Sequence, residues 1–336
     1  MSSNPSIPSD QNAVSPSSYQ LPPAPPKSHG RRNILIVVGV ILIVLLTAAG
    51  LYFFTPIGTA LQELLFPRAI PQELHAAAFI SDSLNGNSIL YRFGPPGMTA
   101  ENAGAVLVSA TESKNGFARI TRSADGTFKV YLDGQVVLQD TIQRLGIDRA
   151  PDGKSLVFAV ASSTEPFISP VQAPTLSLDR KSWNVFLYIP STHTALKLGA
   201  GVSPFFLDNT HVVWMAPAGL AIVDLASGTS KILVPDITGR ASAAALVSPN
   251  HTIFAWYESG SKTLVPYKVS TTNAVALPKT IVPSVRWVTL GNDSFYELAA
   301  SARDTQILKQ AFGAGSVVVG HVPPAPTIQR LLLGSI

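Results

Sequence analysis

A tight turn followed by a short apolar strand recurs along most of this chain of 336 residues. The clearest copy is APDGKSLVFAV, from Ala150 to Val160, in which Asp and Gly suit the turn and Leu, Val and Phe follow. Phrases of the same kind begin at Ser81, Arg122, Arg149, Phe205, Leu246 and Val288. Their apolar runs are rich in the β-branched and aromatic residues that fit a pleated, half-buried surface. The repeat therefore predicts an all-β chain built from many short strands.

A second phrase, a strand, turn and returning strand, follows the first in most copies. The first strands of these hairpins end at Ile189, Leu225, Val269 and Phe312, which are 36, 44 and 43 residues apart. A period of about 40 to 45 residues with four strands per unit is typical of a β-propeller. We expect about six four-stranded blades, with five to seven possible. The run PTIQRLLLGSI, from Pro326 to Ile336, is predicted to supply a strand that closes the ring.

The two phrases together resemble the WD40-like, or TolB-type, β-propeller repeat of bacteria, in which Ser-Pro-Asp-Gly precedes a Leu-x-Phe strand and a later strand ends in Asp-Leu-x-x-Gly. Ala150–Pro151–Asp152–Gly153 with Leu156 and Phe158 match the first half, and Asp224–Leu225 with Gly228 match the second. Other copies depart from the pattern, since Ser248–Pro249–Asn250 lacks the Asp-Gly pair. The resemblance covers about Ala76 to Val319. It implies a propeller whose relatives usually act as binding platforms and only sometimes belong to enzymes.

The start of the chain has a different character. Residues 1–30 are rich in proline and serine and lack apolar periodicity, which predicts a disordered tail. Residues 34–54 form an uncharged apolar run, and about 20 such residues span a bilayer as a helix. Lys27, Arg31 and Arg32 precede this run, so the N-terminus is expected in the cytoplasm and the rest of the chain outside.

These features predict a single-pass membrane protein of the cell envelope. A cleaved signal peptide is the alternative, but its apolar region is normally shorter, about 7 to 15 residues. The predicted organisation is a cytoplasmic tail (1–30), a transmembrane signal-anchor helix (31–54), a juxtamembrane linker (55–74) and an extracytoplasmic propeller (75–336).

Charge and cysteine content exclude several classes of function. The net charge of +4 comes from 24 basic and 20 acidic residues, and no basic cluster follows Arg32. A nucleic-acid surface needs clustered Lys and Arg, so nucleic acid is not an expected partner. The chain has no cysteine, which removes disulfides, thiolate metal sites and cysteine nucleophiles.

The sequence contains no motif that predicts catalysis. It lacks the Gly-x-Ser-x-Gly elbow, the His-Glu-x-x-His zinc helix and the phosphate-binding Gly-x-x-x-x-Gly-Lys loop. None of its histidines is paired in the sequence at ligand spacing with another histidine or a carboxylate; they are His29, His75, His193, His211, His251 and His321. We therefore predict no catalytic, cofactor-binding or metal-binding residues, no cofactor and no enzymatic activity.

The tryptophans and one insertion are the remaining candidates for recognition. Trp214 and Trp256 occupy similar places in their strand phrases, which predicts core packing. Trp183 borders the long polar insertion 161–182 and is the better surface candidate. Such an insertion on a rigid scaffold either carries recognition or is an inert, tolerated loop.

The sequence favours a binding or scaffolding module of the cell envelope, anchored in the lipid bilayer through residues 34–54. Its ligand would be an unidentified envelope protein, peptide or glycan. One alternative is a hydrolase or lyase acting on glycans or peptides, which would need two or three acidic or histidine side chains in the central channel. Another is a sensory ectodomain that works with a signalling partner.

Overall fold

The computed structural model describes Val38, Val40 and Ile41 in the N-terminal part of the chain and most of the region after residue 77. The described ranges there are 78–82, 87–94, 97–113, 116–162, 179–235, 241–258, 260–282, 288–300, 305–322 and 328–332. The chain divides into two compact units, Met1–Pro67 and Arg68–Ile336.

In the first unit, Val38, Val40 and Ile41 have helical backbone. A search of the described residues found no helix with the length and apolar character needed to cross a bilayer. The predicted tail (1–30) and linker (55–74) lie outside the described residues, and so does nearly all of the predicted span (34–54).

The described strands of the second unit pair into six sheets, five of four strands and one of five. Each sheet is one blade, in which every strand pairs with the next, from the first strand to the fourth. Blade 1 contains β25 (Ile328–Leu332), β1 (Ala78–Asp82), β2 (Ser88–Gly94) and β3 (Gly97–Asn102); blade 2 contains β4 (Val106–Ser113), β5 (Gly116–Arg122), β6 (Phe128–Leu132) and β7 (Gln135–Asp140); blade 3 contains β8 (Arg144–Arg149), β9 (Leu156–Ala161), β10 (Trp183–Ile189) and β11 (Thr194–Ala200).

The remaining blades continue in chain order. Blade 4 contains β12 (Val202–Phe206), β13 (His211–Ala216), β14 (Gly219–Asp224) and β15 (Ser230–Pro235); blade 5 contains β16 (Ala241–Val247), β17 (Ile253–Glu258), β18 (Thr263–Val269), β19 (Ala274–Ala276) and β20 (Thr280–Ile281), which pairs with β18; blade 6 contains β21 (Val288–Leu290), β22 (Ser294–Ala300), β23 (Thr305–Ala311) and β24 (Ser316–Val322). A 3-10 helix, Arg180–Ser182, immediately precedes β10.

The first strands of successive blades are neighbours, in the order β4, β8, β12, β16, β21 and β25. This arrangement places the first strands on the inside of a ring and the fourth strands on the outside. The all-β propeller fold predicted from the repeat is therefore confirmed, and the number of sheets lies within the predicted range.

The ring is closed by the C-terminal strand, as the sequence predicted. β25 pairs antiparallel with β1, with Leu332 opposite Ala78 and Leu331 opposite Phe79. One blade thus combines the first and last described strands of this unit, and the pairing covers a sheet edge that would otherwise be open.

Burial explains the residue pattern of the strands. The second and third strands of blades 4 and 5 are buried on both faces between neighbouring blades, and β13 (HVVWMA) and β17 (IFAWYE) are accordingly almost continuous apolar runs. The fourth strands β7, β11 and β15 contain no buried residue and mix polar with aliphatic side chains. The apolar core therefore lies between the blades.

The repeated turn phrases do not all occupy the same place in a blade. Those that begin at Arg149, Phe205, Leu246 and Val288 contain the turn between the first and second strands. The phrases at Ser81 and Arg122 contain turns between the second and third strands, β1–β2 and β5–β6. This difference explains the short step from Arg122 to Arg149.

Candidate functional site

The antiparallel strands give the ring two ends. The turn end carries the turns between first and second strands, such as 150–155 and 248–252. The loop end carries the connections between second and third strands, including the insertion between β9 and β10. At the turn end the described residues join neighbouring blades, whereas at the loop end they form the base of the insertion.

A buried carboxyl group lies on the inner strand β8, close to the turn end. Asp148 Oδ2 accepts a hydrogen bond from the Phe206 backbone N–H of β12 at 2.8 Å, and Oδ1 accepts one from the Thr111 hydroxyl of β4 at 3.1 Å. The Asp148 side chain is 8% exposed. A single carboxyl group thus joins the inner strands of blades 2, 3 and 4.

His251 adds blade 5 to this cluster. It lies in the turn between β16 and β17 with a φ of 60°, and its Nδ1 is 3.6 Å from Asp148 Oδ2. Nδ1 also contacts the carbonyl oxygen of Phe206. Because a carbonyl oxygen only accepts hydrogen bonds, Nδ1 must carry the hydrogen in this contact. We call Thr111, Asp148, His251 and the Phe206 backbone the inner-strand cluster.

Burial raises the pKa of the Asp148 carboxyl group. Charge attraction from His251, the N–H groups of Phe206 and Arg149 and the Thr111 hydroxyl act in the opposite direction. The His251 side chain is only 12% exposed. The pair is therefore enclosed between blades, which suits a structural connection better than a reaction centre reached by a substrate.

Serine hydroxyls make similar connections between other inner strands. Ser109 Oγ accepts from the Ile147 N–H at 3.0 Å, and Ser203 Oγ accepts from the Ala245 N–H at 3.2 Å. Ile147 and Ala245 lie where the pairing of the first and second strands shifts register. A register shift leaves backbone groups unpaired in the ladder, so the neighbouring blade supplies their partners.

The turns themselves are also linked from blade to blade. Asn209 Oδ1 accepts from the Asp152 N–H at 2.8 Å, which joins the turns of blades 4 and 3. Asn292 Oδ1 accepts from the Asn250 N–H at 2.9 Å, which joins blades 6 and 5. The Asn and Asp residues of the repeated phrase thus shape their own turns and also join neighbouring turns.

Replacing Asn209 with alanine tests one of these links. Asn209→Ala leaves the Asp152 N–H without its side-chain acceptor, so we expect the free energy of unfolding to fall by roughly 1 kcal/mol. Asn209→Asp keeps an oxygen acceptor and is the matched control. Equal losses in both variants, measured by urea denaturation, would show that the hydrogen bond to Asp152 does not stabilise the fold.

Arg149 connects blade 3 to blade 2 at the same end. Its Nη1 donates to Asp133 Oδ1 at 2.9 Å, and its Nε donates to the Gly153 carbonyl at 3.2 Å. Gly153 has a φ of 77°, and a Cβ there would lie 2.9 Å from Arg149 Nη2. Glycine is therefore needed at this position of the Pro-Asp-Gly turn for its backbone conformation and for the space it leaves.

Gly153→Ala should reduce the free energy of unfolding by roughly 1–2 kcal/mol, because an L residue at this φ is strained. Gly153→Asn is the control, since asparagine tolerates the left-handed conformation better. Thermal unfolding of the two variants separates backbone strain from crowding of Arg149. A similar loss in both would assign the effect to crowding.

The loop end contains the base of the long insertion. The Ser162 N–H donates to the Ser182 carbonyl at 2.8 Å, which brings together the two ends of the segment 163–178. Asp179 caps the 3-10 helix by accepting from the Lys181 N–H at 3.0 Å. Residues 163–178 themselves lie outside the described part of the chain. We call Ser162 and Asp179–Ser182 the loop base.

Arg180 fastens the loop base to the neighbouring blade. Its guanidinium is buried and its Nη1 is 3.4 Å from the Ala216 carbonyl at the end of β13 in blade 4. Burial lowers the pKa of Arg180 from its usual value. A cation is rarely buried without a structural or functional reason, so the fold specifies the position of the loop base.

The structure agrees with the predicted positions of two tryptophans and contradicts that of a third. Trp214 and Trp256 are buried, as predicted. Trp183 is completely buried at the start of β10, so its prediction as a surface residue is wrong. It belongs to the main apolar core, and its strand partner is Ala161, next to the Ser162–Ser182 hydrogen bond of the loop base. Trp287 lies outside the described residues.

Histidine contacts appeared only in the folded structure. His211 Nδ1 is 3.0 Å from both carboxyl oxygens of Asp208, and His193 Nδ1 is 3.1 Å from the Tyr188 hydroxyl. The three-residue spacing of Asp208 and His211 within one turn is a signal that the sequence analysis missed. The Asp148–His251 contact had none, because its members belong to different blades. In the portion of the chain open to description, no three His, Cys, Asp or Glu residues are grouped so that they could hold a metal ion.

Comparison with known proteins identifies the fold and no family. No protein-family model and no curated protein matches the chain. The structure of TolB from Acinetobacter baumannii superposes with a TM-score of 0.52 at 13% identity, covering 82% of this chain and 69% of that one. An oligogalacturonate lyase in complex with manganese gives a TM-score of 0.50 at 10% identity, covering 76% of this chain and 77% of that one. At these identities the likeness concerns the fold alone.

Proposed function

We propose that this chain is a binding or scaffolding propeller of the cell envelope. The observation that supports this most is the way the ring is joined. β25 closes the ring on β1. From blade 1 to blade 6, each blade is joined to the next by a hydrogen bond between a side chain and a backbone N–H. The side chains that accept these hydrogen bonds are those of Ser88, Ser109, Asp148, Ser203 and Asn292.

A ring joined in this way suits recognition. Loops on a rigid scaffold lose little conformational entropy when they bind, so more of the contact energy appears as affinity. The ionisable side chains Asp148, His251 and Arg149 are engaged in connections between blades. Because these side chains hold neighbouring blades together, we favour ligand binding over hydrolase or lyase activity for the inner strands.

The loop end is the proposed recognition face. Its insertion is held at the loop base by the Ser162–Ser182 hydrogen bond and by buried Arg180. The proposed ligand is an envelope protein, peptide or glycan. The apolar run 34–54 would hold the propeller at the outer surface of the bilayer, with the first residues in the cytoplasm.

Site-specific photocrosslinking of the full-length chain in cells tests this proposal. A photoreactive amino acid replaces Lys181, which is exposed at the loop base, or Lys154, which is exposed at the turn end. We expect a defined envelope protein or polymer to be crosslinked from position 181 and not from position 154. Equal or absent crosslinking at the two positions would contradict recognition at the loop end.

An activity assay distinguishes the main alternative. Purified full-length protein is incubated with envelope glycans and peptides, and the products are analysed by mass spectrometry. Depletion of a defined glycan or peptide, with no partner retained by crosslinking, would favour the hydrolase or lyase. A captured membrane kinase or other signalling protein would favour the sensory role.

A further inference from the structure

The inner-strand cluster joins four blades through polar contacts of one buried carboxyl group. The Asp148 carboxyl group accepts hydrogen bonds from Thr111 of blade 2 and from the Phe206 N–H of blade 4, and it lies 3.6 Å from His251 of blade 5. Because the group is buried, its charge state has a large effect on the free energy of the folded ring.

The groups around the pair include one ionisable partner for Asp148. β4 contributes the uncharged Thr111 hydroxyl, and β12 contributes the Phe206 backbone. Arg149, the next residue on β8, directs its guanidinium to Asp133 and the Gly153 carbonyl.

Arg119, another charged side chain near β8, also makes its contacts away from Asp148. On β5, which packs against β8, Arg119 lies over the ring of Tyr131 and pairs with Glu101. Among the residues open to description, His251 is therefore the ionisable side chain within ion-pair distance of Asp148.

We propose that Asp148 and His251 form a proton-sensitive latch, which takes up one proton from solvent as the pH falls and then holds blades 2 to 5 together more firmly. Without that proton, a carboxylate faces a neutral imidazole and the enclosed site has a net negative charge. With it, Asp148 is a carboxylic acid and the site is neutral overall. The Nδ1 hydrogen bond to the Phe206 carbonyl persists in both forms.

The direction of the pH dependence follows from proton linkage. The folded-state pKa of Asp148 is raised above its ordinary value of 3.8, so above that pH the folded protein binds more protons at this site than the unfolded chain. The contribution of the pair to stability should therefore decrease as the pH rises above 3.8 toward the raised pKa. For one proton, the ratio of folded to unfolded protein changes by up to about tenfold per pH unit.

Asp148→Asn in the full-length protein is the principal test. Asparagine retains an oxygen acceptor for the Phe206 N–H but does not titrate. Urea denaturation at intervals between pH 4 and pH 8 should show the wild type losing stability relative to Asp148→Asn as the pH rises. Parallel profiles for the two proteins would overturn the proposal.

Hydrogen exchange in the wild type provides a second test that needs no variant. The Phe206 N–H donates to Asp148, whereas the Ala245 N–H donates to the non-titrating hydroxyl of Ser203 and is a matched reference. After correction for intrinsic exchange rates, we expect the protection of the Phe206 amide relative to that of Ala245 to change with pH, because the charge on the acceptor group of Phe206 changes and that on the acceptor of Ala245 does not. A constant ratio of the two protection factors would also overturn the latch.

Discussion

Truncation after Val322 is expected to cause the largest loss of stability of any single change in the propeller. The truncated chain lacks β25, so β1 loses its pairing partner and the inner position beside β21 is left without a strand. We expect a loss of at least about 3 kcal/mol, which is a large part of the 5–15 kcal/mol typical of folded proteins. For a unit of this size, that loss corresponds to a fall of roughly 6 °C or more in Tm.

Two further samples make the truncation experiment specific. Deletion of residues 333–336 leaves β25 intact and controls for shortening of the chain. A synthetic peptide containing residues 326–336, added to the truncated protein, should restore part of the lost Tm in a concentration-dependent way, because it binds only the folded ring. An unchanged Tm in the truncated protein would show that the β1–β25 pairing does not stabilise the unit.

The closing strand could be predicted because its sequence and position are both informative. The apolar run near the C-terminus has no partner in the preceding repeat, and a propeller requires closure. The hairpins whose first strands were predicted to end at Ile189, Leu225, Val269 and Phe312 are also confirmed, since each joins the third and fourth strands of its blade.

The phrases at Ser81 and Arg122 occupy a different place in the blade from the other four copies, and the sequence does not reveal this for a physical reason. Any tight turn before a buried strand favours the same residue types, so the phrase identifies a turn without giving its order in the blade. The order depends on which strand lies nearest the ring axis. In blade 1 that strand is β25, from the other end of the chain.

The inner-strand cluster lay beyond sequence reasoning because its contacts are made between blades. Thr111, Asp148 and His251 come from three different blades, and only the ring geometry brings them together. Trp183 shows the complementary error: it borders a polar insertion in the sequence, yet it is completely buried in the apolar core. A residue next to a long polar loop can therefore still belong to the core, because its burial depends on the packing of its strand rather than on the neighbouring sequence.

The junction of blades 4 and 5 shows how neighbouring blades pack and supports the second large prediction. Phe254 of β17 is completely buried and stacks on Phe205 of the inner strand β12, with ring centroids 5.6 Å apart and an angle of 14° between the planes. Trp256 contacts Phe254 at a centroid distance of 6.0 Å, and Tyr267 stacks on Trp256 at 4.9 Å. This aromatic row extends from the inner strand of blade 4 through the second and third strands of blade 5.

Phe254→Ala should lower the free energy of unfolding by about 3–5 kcal/mol, because it removes a buried ring and leaves a cavity between two blades. Val275→Ala is the surface control; Val275 is 55% exposed on the outer strand β19, so its change should stay within about 0.5 kcal/mol. The double variant with Phe205→Ala should show a coupling of roughly 0.5–1.5 kcal/mol, as expected for rings in contact. Additive losses in urea denaturation would mean that each ring is stabilised within its own blade, and that the stacking between blades adds no stability.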